Sequence, residues 1–162
     1  MRFDAQLLNV YRTLLQTTDL QKAYQEFVRW FRFLRWELEK QLPEYRFQGG
    51  IAENGMDYAY FQFADPALKA AGLKLVVVFV HRAFRLEVWL SGVNRAAQRR
   101  WAEALPPAAG MERADDPGRR DYILRVPVEA EPGDGAAAVA AIRQKAEELR
   151  AYWSDRSAEP NR

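Results

Sequence analysis

The sequence predicts an α+β domain: a mostly antiparallel sheet of about five strands, with two N-terminal helices, one middle helix and one C-terminal helix packed on it. Two observations carry this reading. Apolar residues recur at helical spacing up to residue 41 and again beyond residue 94, whereas the period falls to two over most of the stretch between. The period-two runs are mostly joined by short turn-forming segments, and such links favour hairpins and antiparallel neighbours.

Leu7, Leu8, Val10, Tyr11, Leu14 and Leu15 stand three and four apart within Asp4 to Gln16, so the first element is a short amphipathic helix. Thr18 or Asp19 is placed to cap a second helix from about Leu20 to Gln41, which should stop before Pro43 because the residue preceding proline leaves the helical region. "YRFQGGI" and "MDYAYFQF" alternate like strands, and the intervening "GGIAENG" carries the Asn-Gly step of a hairpin turn. "LKLVVVFVH" is apolar on both faces and reads as a central strand. It pairs with "FRLEVWLSG" through a turn at Arg82 and Ala83. "NRAAQRRWAEAL" is a helix capped by Asn94 and ended by Pro106 and Pro107. A long polar loop, Ala108 to Arg120, leads to "YILRVPV", which Pro127 pushes toward a sheet edge. Val139, Ile142, Ala146, Leu149 and Trp153 line one side of the last helix, with residues 156–162 expected to fray from a single domain over 1–155.

With 162 residues, 49% of them hydrophobic and 13% aromatic, the chain can build one core unaided. The absence of cysteine excludes disulfides, zinc thiolates and cysteine nucleophiles, and suits a cytoplasmic protein. No signal peptide or bilayer-spanning stretch is recognisable. The 24 basic and 22 acidic residues give a net charge of +2, which leaves nucleic-acid binding possible but unsupported.

"RWFRFLRWELEK", residues 29–40, is the loudest local signal. On a helix, Ala23, Phe27, Trp30, Phe31, Leu34 and Leu38 form the core stripe, while Phe33 and Trp36 fall among Arg29, Arg32 and Lys40. Those two aromatics are either covered by the first or last helix or exposed as a stacking platform, and covering is the commoner fate.

If Val80 pairs with Arg85, one sheet face carries Val76, Val78, Arg85, Glu87 and Trp89, and the other Leu75, Val77, Leu86, Val88 and Leu90. A mid-strand Glu87 must then be paired or protonated, with Arg85 as the ordinary partner and a catalytic carboxylate as the alternative. His81, the single histidine, reads as a turn residue. Asp57 could join Glu87 around a divalent cation only if their strands are adjacent and both face the same way. No phosphate-loop, dinucleotide-binding or nucleophile-elbow motif is present.

At "GMDYAYFQF" and "LKLVVVFVHRAFRLEVWLSGVNRAAQRRW" the chain resembles a bacterial family catalogued as a domain of unknown function, number 7000. The matching residues include Met56, Asp57, Tyr60, Phe61, Lys74, Phe79, His81, Glu87, Trp89, Gly92, Asn94 and Gln98. Leu86 stands where phenylalanine is usual and Gly55 where tyrosine is, and the likeness fades after Pro106. The resemblance supplies no activity, but it implies that Asp57, His81, Glu87, Trp89 and Asn94 belong to a shared pattern.

The expected function is therefore a non-catalytic binding or interaction module holding a protein or small ligand near Asp57, Tyr60, His81, Glu87, Trp89 and Asn94, without cofactor, metal or membrane. The competing readings are a divalent-metal hydrolase or degenerate nuclease using Asp57 and Glu87, and nucleic-acid binding through Arg29, Arg32, Phe33 and Trp36.

Overall fold

A computed structural model describes residues 1–158. Two helices, α1 (Ala5–Thr17) and α2 (Leu20–Gln41), precede strands β1 (Arg46–Asn54) and β2 (Tyr58–Ala64). A short helix α3 (Pro66–Ala70) leads to β3 (Leu73–Val80) and β4 (Arg85–Gly92), followed by α4 (Arg95–Ala104). The two-residue β5 (Glu112–Arg113), β6 (Leu124–Val128) and α5 (Gly135–Ser157) complete the described chain. The strands form one six-stranded antiparallel sheet in the order β1-β2-β3-β4-β6-β5.

Local chemistry sets the helix ends. Asp4 caps α1 by accepting from the backbone N–H groups of Gln6 and Leu7, and Asn94 caps α4 through Ala97 N at 2.9 Å. At the start of α2 the hydroxyl of Thr18 accepts from Leu20 N, while Asp19 turns its carboxylate to Lys22 instead. As expected, α2 ends before Pro43 and α4 before the two prolines. α5 runs to Ser157 with Ala158 as its C-cap, and residues 159–162 of the expected tail lie outside the described residues.

Four elements, β1, β2, α3 and β5, differ from the sequence reading. β1 continues through "GGIAEN", which the glycines had suggested as a turn, by absorbing an irregularity between Gln48 and Ala52, with Gly49 at φ +65°. The turn falls instead at Gly55 and Met56, both with positive φ, so Met56 and Asp57 leave the strand. α3 and β5 are too short to show a period: Asp65 caps α3 at Leu68 N, and β5 borrows its ladder from β6. Pro127 pairs with Glu87 on β4, beyond the end of β5, where no further strand needs its missing N–H.

The core lies between the sheet and α2 and α5. Phe31, Leu34 and Leu38 from α2 and Val139, Ile142, Ala146 and Leu149 from α5 close over Phe61, Leu75, Val77, Val88 and Leu90. The β3–β4 register joins Val80 to Arg85, which assigns the two faces as the alternation predicts. The opposite face of β3, apolar like the first, has no helix over it among the described residues. Val76, Val78 and Trp89 there form a second, smaller apolar cluster with Ala114, Tyr122 and Val80.

Candidate functional site

The face of the sheet away from α2 and α5 is a groove of about 550 Å³, within the range of small-ligand sites. Its floor follows from strand alternation: Tyr58, Tyr60 and Gln62 on β2, Lys74, Val76 and Val78 on β3, Trp89 on β4 and Arg125 on β6. One end is closed by the start of α4, with Asn94, Arg95 and Gln98, and one side by the segment Arg119–Tyr122. Trp89 stands edge-on to Tyr58 and lies 5.2 Å from Tyr122, making an aromatic wall.

Glu87 is not a groove surface but its foundation. It is 1% exposed. Arg85 donates to Oε1, with Nε at 2.8 Å and Nη2 closer still. Trp89 Nε1 donates to Oε2 at 2.6 Å, and Arg125 Nη1 stands 3.6 Å from the same oxygen. The carboxylate thereby fixes the indole that lines the groove, and its oxygens are committed to protein donors.

The cations of the groove differ in how they are compensated. Arg95 pairs with Asp121, Arg119 with Asp116, Arg120 with Asp115, and Arg125 with Glu112 at 2.6 Å. The Arg120 guanidinium holds the Asp115 carboxyl down at about 2. A hydrogen bond from Arg125 lowers Glu112 in the same sense, against the opposing effect of burial. Lys74 is different. Its ammonium donates to the neutral Gln62 Oε1 at 2.7 Å, and among the described residues no carboxylate comes within ion-pair distance. Burial pushes its pKa below the usual lysine value, with the Asp121 carboxylate opposing.

The six residues singled out by sequence are divided. Tyr60, Trp89 and Asn94 line the groove, with Glu87 beneath them. Asp57 sits exposed in the β1–β2 turn, where its backbone carbonyl accepts from His81 N. His81 lies on the other side of the sheet, its ring 4.7 Å from Phe27 and 5.2 Å from Phe79 under α2. Asp57 and Glu87 therefore do not share a strand face, and among the described residues no group of three or more His, Asp or Glu side chains converges to hold a metal ion.

The surface of α2 is mixed. The Phe33 ring abuts Gly135 at the start of α5, and Trp36 is 57% exposed with the Lys40 ammonium 2.9 Å from its ring centroid. Arg29 pairs with Glu26 and Arg35 with Glu39, so two of the three arginines of α2 are already partnered by glutamates on the same helix.

Lys74, Gln62, Gln98, Tyr122 and Arg125 were absent from the sequence-derived site. Lys74 could have been found: it lies two residues before Val76, on the face already assigned to Glu87 and Trp89. Tyr122 opens the expected strand "YILRVPV", whose alternation would set it on the face of Leu124 and Val126; β6 begins only at Leu124, and Tyr122 joins the cluster on the groove side instead.

A family model described as a domain of unknown function (DUF7000) matches residues 4–154. The chain belongs to this family. No curated protein and no solved structure matches it. The DUF7000 match continues past Pro106, where the sequence likeness had seemed to fade, and takes in β6 and most of α5. The groove of this DUF7000 chain is thus built wholly from residues inside the match. Among the described residues no helix is long and apolar enough to cross a membrane.

Proposed function

We propose that this protein is a binding module whose groove takes a small organic anion with a planar or apolar part. The observation that carries this is Lys74: a half-buried ammonium on the groove floor, held by an amide and, among the described residues, within ion-pair distance of no carboxylate, is a charge whose desolvation Asp121 offsets only in part. A ligand anion would supply the missing partner, and the wall of Tyr58, Trp89 and Tyr122 would stack its apolar part. The α2 surface supports nucleic-acid binding less well, because Arg29 and Arg35 already have glutamate partners and Phe33 leans on α5. The hydrolase reading has little support, with the Glu87 oxygens taken up and Asp57 on the β1–β2 turn.

Thermal unfolding with phenyl phosphate and with inorganic phosphate tests the reading. Phenyl phosphate should raise the midpoint saturably, and more than inorganic phosphate at equal concentration. Lys74→Met should remove the effect. If neither anion shifts the midpoint up to about 10 mM, the groove is not an anion site.

The same variant makes a second prediction. Because the folded pKa of Lys74 lies below the ordinary value of 10.5, the unfolded chain binds more protons between the two values, and the protonated lysine costs the fold stability at neutral pH. That cost is relieved as pH rises toward and past 10.5. Without ligand, Lys74→Met should therefore melt above the wild type at pH 7, with the gap closing in alkaline buffer. An equal gap at pH 7 and pH 11 would assign the effect to packing alone.

A further inference from the structure

Among the described residues α1 has almost nothing to lean on. Its six large apolar side chains, Leu7, Leu8, Val10, Tyr11, Leu14 and Leu15, fall within roughly 160° of one another at 100° per residue, the width of a core-facing stripe. Yet none is buried: their exposures run from 36% to 66%, and α1 contributes no residue to either apolar cluster. Asn9, Arg12, Thr13 and Gln16 occupy the other side, so the helix is built for an interface on one face and water on the other. A helix of 13 residues is marginal in water by itself, and α1 scarcely packs on α2, to which Thr18 and Asp19 join it.

We infer that α1 is a dimerisation arm that packs against α1 of a second copy of this chain, antiparallel about a two-fold axis at Val10 and Tyr11. The spacing is self-complementary. The Leu7–Leu8 and Leu14–Leu15 pairs flank Val10–Tyr11 on either side, so an antiparallel pair sets each leucine pair against its counterpart. The stripe itself holds no charge, so like-charge repulsion does not oppose the pairing. The area also fits. With Phe3, which is 74% exposed just ahead of the helix, the stripe offers about 700 Å² per copy, close to the ~800 Å² that a standard-size interface takes from each partner.

Light scattering on the full chain at about 100 μM should give twice the 18.8 kDa chain mass. Leu7→Glu combined with Leu14→Glu should return the monomer mass while leaving the thermal midpoint of the core unchanged, because α1 lies outside it. The cysteine-free chain permits a geometric check. Tyr11→Cys should form an intermolecular disulfide on mild oxidation, and Asn9→Cys, on the polar side of the helix, should not. The inference is overturned by a monomeric wild type, including one that instead binds anionic phospholipid vesicles. It is equally overturned by a dimer that persists in the double variant, or by equal crosslinking at both cysteines. None of these outcomes depends on whether the groove binds phenyl phosphate.

Discussion

Replacing Glu87 by glutamine should lower the unfolding free energy by about 3 kcal/mol, measured by urea denaturation against the wild type. The isosteric amide keeps the volume and removes the charge. Arg85 then loses its carboxylate and Arg125 one of two, and one half of the amide presents N–H donors to a guanidinium or to the indole N–H. The expected loss sits at the lower end of the range for broken buried pairs because Arg85 is half exposed and Arg125 keeps Glu112, so water and a second anion relieve part of the imbalance. The near-ultraviolet dichroism of Trp89 should weaken, since the bond that orients its ring is altered. A Glu87→Gln protein as stable as the wild type would return this carboxylate to the chemical candidates, because groups placed for reaction are commonly held at a cost to the fold.

Gly92→Ala should cost about 2 to 3 kcal/mol and weaken phenyl phosphate binding at the same time. Gly92 ends β4 and donates its N–H to Gln98 Oε1 at 2.7 Å, locking the strand end to the first turn of α4. A β-carbon there would lie 2.8 Å from Gln98 Cα and 3.0 Å from the Ala97 carbonyl carbon, and would press on Gln98 N as well. These are backbone atoms of a capped helix, so they cannot swing aside as a side-chain end would. α4 must back away, carrying Asn94, Arg95 and Gln98 from the groove. Gly50→Ala is the control: its β-carbon would meet nothing within 4 Å and its φ is not in the left-handed region, so its effect should stay within about 0.5 kcal/mol. Equal losses at the two glycines would show that the close approach at Gly92 carries no special weight.

Both effects arise where elements distant in the chain meet, and the same distinction divides what could be read from the sequence. The helix cap at Asn94, the stop before Pro43 and the buried face of α5 are set by short-range stereochemistry and by apolar period, so the residues alone determined them; the structure chose Thr18 over Asp19 as the side chain that accepts at the start of α2, and supplied the Val80–Arg85 pairing that the face assignment assumed. Alternation puts Glu87 and Arg85 on one face two residues apart and so made their pairing the ordinary expectation; the structure chose it over a carboxylate open to a cleft.

Only the tertiary structure decided what covers each face. An apolar run such as β3 reads the same whether a helix or an aromatic groove lies over it, because period reports that a face is apolar and not what it meets. The turn at Gly55 and Met56 moved Asp57 off its strand, and His81 fell on the α2 side, so residues adjacent in the family pattern were separated by the thickness of the sheet. Conversely, strand order brought Lys74, Trp89, Tyr122 and Arg125 from four segments to one groove. The stripe on α1 is the limiting case: its sequence determined a helix with one apolar face, and the fold left that face in water, because burial depends on where a neighbour lies and not on the helix that needs one.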